Sequence, residues 1–247
     1  MRFPALLIFS FAATFGAAQT AHWDYYGKTG PLGWGHLDPA YRLCSEGKEQ
    51  SPIDIRGAKL DKALQPIEFH YMSASVEVEN TGNGVVVHVK PGSYIVAGGV
   101  RFDLQEFDFH HPGEEAVNGR LTDISIHLTH KSADGKLAVV AVRLSETMGD
   151  PNATLATLWQ HLPTEAGKTE QVTDLINPGG LLPGDRGYWT YMGSLTTPPC
   201  TEGVRWFVLE QPVSISRSQL RAFEVLGYKI NSRPVQERNG RKIEANE

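Results

Sequence analysis

Residues Phe107 to His130 constrain the fold of this chain more than any other stretch. They read Phe-Asp-Phe-His-His-Pro-Gly-Glu-Glu, pass a turn signal at Asn118-Gly119, and resume as Ser-Ile-His-Leu-Thr-His. Successive side chains of a β-strand point to opposite faces. In the first run Asp108 and His110 therefore share one face, and Phe107 and Phe109 the other. In the second, Ser125, His127 and Thr129 alternate with Ile124, Ile126 and Leu128. Antiparallel pairing of the two runs would bring Asp108, His110 and His127 to one point. Two imidazoles and a carboxylate facing a cavity suit a tetrahedral zinc ion with one coordination position left open.

The surrounding sequence predicts a sheet. Short apolar or alternating runs occur at Ile67–His70, Val76–Asn80, Val85–Val89, Tyr94–Val96, Val100–Phe109, Leu121–Thr129 and Leu137–Leu144. Turn residues separate most of them, Asn118-Gly119 and Asp134-Gly135 most clearly. Thr190–Gly193 and Val204–Leu209 read as further strands. Two helices are expected. One has Asp150 as N-cap and Pro151 at its first position and runs to about His161. The other spans Ser214 to Gly227, capped by Ser214 or Ser216. The stretch from His22 to His36 is aromatic and Gly-rich, so it reads as an irregular segment laid over the core, with Trp23, Tyr25 and Trp34 as packing anchors. The 247 residues allow one large domain or two small ones. No linker-like stretch divides them, which predicts a single α+β, β-dominated domain.

Residues 1–18 differ from the rest. Arg2 precedes the apolar run Ala5–Phe15, and Gly16 and Ala18 stand at −3 and −1 of a cut before Gln19. This is the pattern of a signal peptide, leaving a mature domain over 19–247 exported to the periplasm or secreted, with no stable membrane anchor after cleavage. Cys44 and Cys200 are the only cysteines. Export into an oxidising compartment favours one disulfide between them, two buried thiols being the alternative. A formal net charge of −5 argues against nucleic acid as a partner.

Five motifs, in order, carry a family resemblance: Gln50-Ser-Pro-Ile-Asp-Ile, Phe107-x-Phe-His-x-Pro-x-Glu, Ile126-His-Leu-x-His, Gly193-Ser-Leu-Thr-Thr-Pro-Pro-Cys and Asn231-x-Arg-Pro-Val-Gln. Together they resemble the α-class carbonic anhydrases in their exported bacterial form. The resemblance implies a ten-stranded, mostly antiparallel twisted sheet with a few peripheral helices, a conical zinc pocket and a Cys44–Cys200 disulfide. It implies reversible hydration of carbon dioxide to bicarbonate and a proton, with Zn2+ lowering the pKa of a bound water to about 7. His110 and His127 would be ligands. Thr196 would accept a hydrogen bond from the zinc-bound hydroxide and donate its own proton to Glu114. Tyr25, Thr129, Val139, Leu195, Thr197, Val204 and Trp206 match pocket positions. Oligomeric state is left open, a dimer being one option.

The chain also departs from the family. Asp108 replaces the first histidine ligand, and an anionic ligand should raise the pKa of the metal-bound water and slow hydration. Behind the ligands, Ser125 stands where a glutamate is frequent and Glu106 where a glutamine is usual. Glu106 would face Asp108 on the same strand, so it needs either a nearby cation or a proton of its own. His88, His111 and His130 are the histidines that would have to supply a replacement ligand. Asn83 occupies the position of the proton-shuttle histidine and has no group that titrates near neutrality. Gly113 and Glu115 stand where Ser and His are frequent, which predicts looser support of Glu114. The leading expectation is a slow carbonic anhydrase. The alternatives are a catalytically impaired, carbonic-anhydrase-related binding protein and a hydrolase of small esters.

Overall fold

The computed structural model describes residues 21–147, 150–225 and 230–247. The leader expected over residues 1–18 lies outside the described residues. In chain order the strands are β1 (Asp54–Ile55), β2 (Lys59–Leu60), β3 (Glu68–His70), β4 (Ala74–Asn80), β5 (Val85–Val89), β6 (Tyr94–Ala97), β7 (Val100–His110) and β8 (Ala116–Val117). They continue with β9 (Ile124–Ser132), β10 (Leu137–Glu146), β11 (Lys168–Ile176), β12 (Tyr188–Ser194), β13 (Glu202–Leu209), β14 (Val213–Ile215) and β15 (Glu244–Ala245). Three short helices accompany them: α1 (Leu43–Glu46), α2 (Ala153–Trp159) and α3 (Arg217–Val225).

Thirteen strands form one mixed sheet, and β1 pairs with β8 separately. A path of ten strands runs β11-β4-β5-β7-β9-β10-β13-β12-β15-β2, with β3, β6 and β14 attached beside it. The sheet, expected to have ten strands, has thirteen among the described residues, and two of the expected runs, β3 and β6, lie beside the ten-strand path and not on it. Along it only β10–β13 and β15–β2 are parallel. The centre is β10, whose run Leu137-Ala-Val-Val-Ala-Val is apolar without alternation because both its faces are covered. Ala138, Val140, Val142 and Leu144 join the main core, while Val139 and Ala141 pack with Val204, Trp206 and Val208 on the opposite face.

Strand β7 is the structural pivot. Phe102, Leu104, Phe107 and Phe109 all enter the main core. Strict alternation cannot place 104 and 107 on one face. The β7–β9 register shifts between Leu104 and Glu106, so Gln105 is an extra residue opposite β9. This bulge changes the phase of the strand. Beyond it the phenylalanines keep to the core, and Glu106, Asp108 and His110 turn to the other side.

The turns follow their chemistry. Asn118 and Gly119 both adopt positive φ, +52° and +78°, and Val117 and Arg120 exchange backbone hydrogen bonds around them. Mirror-image two-residue turns demand that conformation. The β9–β10 hairpin closes over Asp134-Gly135 with Gly135 at φ +86°.

One expected helix cap is displaced, and of the two offered for the second helix one is observed. The N-cap of α2 is Asn152, whose side chain accepts from the Leu155 N–H at 3.0 Å, and not Asp150. Ser216 caps α3, its Oγ accepting from the Gln219 N–H at 3.3 Å, and Ser214 belongs to β14. Gly227, expected to end that helix, lies outside the described residues. Strand β11 was not anticipated. In Lys168-Thr-Glu-Gln-Val-Thr-Asp-Leu-Ile only Val172 and Ile176 are buried, so this edge strand carries little apolar signal.

Candidate metal centre

A cavity of about 560 Å³ opens on the face of the sheet opposite the main core. Asp108, His110 and His127 line it, and a ligand atom from each lies within 4.8 Å of the others. The pairing anticipated from sequence is present: Asp108 lies directly opposite His127, and His110 opposite Ser125. Among the described residues a second set, Glu114, Glu115 and His127, is as close together but fully buried. Neither glutamate lines the cavity, so that set offers no open position to water.

Each imidazole is held by its outer nitrogen. His110 Nδ1 lies 2.8 Å from the carbonyl oxygen of Asn231, which can only accept, so Nδ1 carries a proton. His127 Nε2 lies 2.6 Å from Glu115 Oε1. Those bonds leave His110 Nε2 and His127 Nδ1 toward Asp108. Asp108 Oδ2 stands 2.7 Å from His110 Nε2, yet off the direction of a ring N–H, and Nε2 makes no hydrogen bond. A buried nitrogen left this way beside a carboxylate is what a shared cation would satisfy. The Asp108 side chain keeps 26% of its surface exposed, toward the cavity.

The electrostatics also call for a cation. Asp108, Glu114 and Glu115 surround two imidazoles. Burial would lower the pKa of His110, but the carboxylates of Glu114 and Asp108 outweigh it and push it up to about 10. Burial likewise opposes the charged form of His127, and Glu115 overrides it and raises its pKa. Burial raises Asp108 and Glu115, but His110 and His127 respectively reverse the sign and hold both below the ordinary carboxylate range. Glu114 stays raised, because burial outweighs the attraction of His110 and His127.

Glu106 lines the cavity and makes no hydrogen bond to Asp108. Its partner is His88, the residue opposite on β5, with Nδ1 3.3 Å from Glu106 Oε2; the other nitrogen meets Glu79 at 2.9 Å. Burial, with the charge of Asp108 adding to it, raises the pKa of Glu106 and so favours a proton of its own. None of the three substitute histidines joins the cluster. His111 Nδ1 bonds to the Asp123 carbonyl at 2.7 Å, and His130 Nε2 lies 2.9 Å from the Tyr71 hydroxyl.

The expected Thr196–Glu114 hydrogen bond is not formed. Thr196 lines the cavity, but Glu114 Oε1 accepts from the Arg233 N–H at 2.6 Å, and Oε2, 3.9 Å from His127 Nδ1, makes no hydrogen bond. Looser support of Glu114 is not what the loop shows. The Glu114 N–H donates to Ser125 Oγ at 3.1 Å, and Gly113 lies so close to Thr122 that a Cβ would come within 2.7 Å of its Oγ1. Ser125 thus supports Glu114 first and stands 3.5 Å from His127 Nε2.

Tyr25, Thr129, Val139, Leu195, Thr197 and Trp206 line the cavity; Val204 does not and lies buried behind Val139 and Trp206. Trp206 packs edge-on against His127, ring centroids 4.9 Å apart, and its Nε1 donates to the Ser194 carbonyl. Burial raises the pKa of the Tyr25 hydroxyl, and the charges of Glu114 and Asp108 add to the effect. Asn83 lies at the wall with its Nδ2 donating to the Trp23 carbonyl at 2.8 Å.

The terminal motifs brace this floor. Ser51 and Ser194 exchange N–H to Oγ hydrogen bonds at 2.9 and 3.1 Å, and a Cβ on Gly193 would fall 2.2 Å from Ser51 Oγ. That close approach requires glycine. The buried Arg233 guanidinium donates to Gln50 Oε1, the Ser51 carbonyl and the Cys44 carbonyl. Cys44 and Cys200 are joined in a disulfide. Sequence reasoning quoted Asn231 and Arg233 only as motif letters, and Glu115 only as a departure. The missing signal was which atoms they present: Asn231 and Glu115 to the imidazoles, and Arg233 to Glu114.

This fold and cavity define a β-sheet protein in which Asp108, His110 and His127 are gathered closely enough to hold a metal ion. Residues 29–247 match the family model of the eukaryotic-type carbonic anhydrases, and the chain belongs to that family. It is 38% identical over 237 residues to a carbonic anhydrase of Pectobacterium carotovorum, covering 96% of each chain. Its structure is similar to that of an α-carbonic anhydrase from Thermovibrio ammonificans in complex with sulfanilamide. That match has a TM-score of 0.87 and 42% identity, and covers 91% of this chain and 99% of that one. It is also similar to dioscorin complexed with ascorbate, with a TM-score of 0.85 and 29% identity, covering 91% and 97%.

Proposed function

We propose that this chain hydrates carbon dioxide reversibly at a zinc ion held by Asp108, His110 and His127. One observation carries the reading: both imidazoles are tied by their outer nitrogens, leaving His110 Nε2 and His127 Nδ1 beside an open carboxylate at the cavity floor. Zinc bound there would acidify a water molecule and supply it as the nucleophile. The protein's own part is to hold the reactants. Val139, Leu195 and Trp206 give a non-hydrogen-bonding substrate an apolar wall. Thr196 presents its hydroxyl to the same space, and Glu114, held at Oε1 by the Arg233 N–H, keeps Oε2 free to accept once Thr196 turns toward it. With Asn83 at the wall, protons leave by water and buffer.

Export follows from the leader at residues 1–18 and is supported by the disulfide. Among the described residues no helix is long and apolar enough to cross a membrane.

The test is metal content together with stopped-flow hydration. One zinc per chain and turnover blocked by a sulfonamide support the reading. A second reading, a binding protein with impaired catalysis, is favoured by the unmade Thr196–Glu114 bond and by Asp108. It wins if the purified protein carries no zinc and gains hydration only as Asp108→His.

A further inference from the structure

Behind the third ligand, the family resemblance places a glutamate at position 125 and a histidine at 115. This chain has Ser125 and Glu115, so the carboxylate has changed place. We propose that Glu115 is the positioning residue of His127, and that positions 115 and 125 are alternative seats for one anchoring carboxylate. The proposal rests on the zinc reading above.

The geometry is specific. Glu115 is 1% exposed, and its Oε1 lies 2.6 Å from His127 Nε2, itself on a buried ring. The acceptor fixes the proton on Nε2 and directs the Nδ1 lone pair to the cavity. Ser125 has another task, since its Oγ accepts the Glu114 N–H. A glutamate at 125 would compete with Glu115 for the same nitrogen, so the chain needs one of the two. The loop is drawn in for this purpose. The Gly113 N–H donates to the Thr122 carbonyl at 2.9 Å, and the absent Cβ allows the close contact with Thr122 that brings residues 114 and 115 under the imidazoles. A chain that had abandoned its metal would have no need to restore the anchor from a new position.

Zinc affinity, measured by chelator competition, tests this on wild type, Glu115→Ala, Glu115→Gln and the double variant Glu115→Ala/Ser125→Glu. Glu115→Ala should bind zinc roughly 10- to 100-fold more weakly. Glu115→Gln, which keeps a neutral acceptor, should lose less, and it carries the comparison if the alanine variant does not fold. The double variant should recover most of the affinity. Unchanged affinity in Glu115→Ala overturns the proposal. So does a double variant no better than Glu115→Ala while its Tm matches wild type. If the wild type takes up no zinc, the zinc reading fails, and Glu115 is judged on the metal-free protein. There the short bond should give His127 a far-downfield imidazole proton resonance that Glu115→Ala removes; its absence in wild type overturns the positioning role.

Discussion

Asp108 and His127 are directly opposed residues of an antiparallel pair, and their side chains reach the same point from different lengths. Opposed Cα atoms in such a pair stand about 4.5–5.5 Å apart. The short carboxylate keeps its charge close to β7, and the imidazole spans the remaining distance. An ion held between them carries one more negative ligand than a three-histidine site would. Its water should therefore ionise at higher pH. Asp108→His should move the midpoint of the hydration pH–rate profile downward by about 1 unit or more, the scale of a neighbouring charge. A midpoint unchanged or moved upward would overturn this electrostatic account of Asp108.

Without a metal ion, the surrounding carboxylates favour a proton on His110. Burial alone would expel it, but Glu114 and Asp108 hold it up to about 10. Zinc must displace that proton, so uptake should release protons and tighten as pH rises. Calorimetry in buffers of different ionisation enthalpy reads this directly, and at pH 7 the release should be at least about one proton per zinc. The metal-free fold should behave oppositely. A folded pKa raised above the unfolded value of 6.5 gives a stabilisation that is complete below pH 6.5 and lost as pH rises toward 10. Urea midpoints of the stripped protein at pH 7 and 10 check the sign.

His130 runs the other way. It is fully buried against the Tyr71 hydroxyl, and burial lowers its pKa to about 4. The unfolded chain binds a proton here more readily than the folded one between pH 6.5 and 4. Stability is therefore complete above pH 6.5 and falls as pH drops through that window, by about 3 kcal/mol at the lower end. The double variant Tyr71→Phe/His130→Leu should show a shallower decline over the same window in urea denaturation. A decline as steep as wild type would place the effect on the carboxylates alone.

The legible part of the fold was the part with a period. Alternation in Phe107–Phe109 and Ile124–Leu128 gave the two strands, their pairing and the three cavity-facing donors, because one face of each strand is fully buried. Strand β11 escaped because an edge strand with two buried residues leaves no such pattern. The roles of Glu115 and Ser125 escaped for a different reason. Both lie beside His127, and which one meets Nε2 depends on a loop path set by Gly113 and Thr122, a long-range contact that local periodicity does not encode. The Thr196–Glu114 bond was inferred by likeness, and the structure turns Glu114 to the Arg233 N–H instead.

Asn83 stands at the cavity wall with its amide donating to the Trp23 carbonyl. Neither state of that amide carries a proton away near neutral pH. Turnover should therefore rise with buffer concentration over the range in which kcat/KM stays flat. Asn83→His should raise turnover in dilute buffer by about 10-fold or more, up to the roughly 100- to 10,000-fold that a positioned acid–base group supplies. Equal turnover of both forms in dilute buffer would show that another route already carries the proton.

The bulge at Gln105 sets which way the cavity-facing residues point. Upstream, Phe102 and Leu104 are in the core; downstream, Phe107 and Phe109 are, and only an extra residue between them reconciles the two. Deleting Gln105 restores strict alternation, and one half of β7 must then turn its apolar side chains toward the cavity. If the downstream half keeps its place, Phe102 and Leu104 lose their burial, a cost of roughly 3–6 kcal/mol at 1.5–3 kcal/mol per side chain. If the upstream half keeps its place, Asp108 and His110 are driven into the apolar core, which costs more because an unpaired carboxylate is buried. The first outcome gives a destabilised protein that still binds metal, and the second a protein that does not fold. Urea denaturation and zinc content of the deletion variant separate the two. A variant as stable as wild type, with its zinc in place, would show that the phase of β7 is set by something other than this one residue.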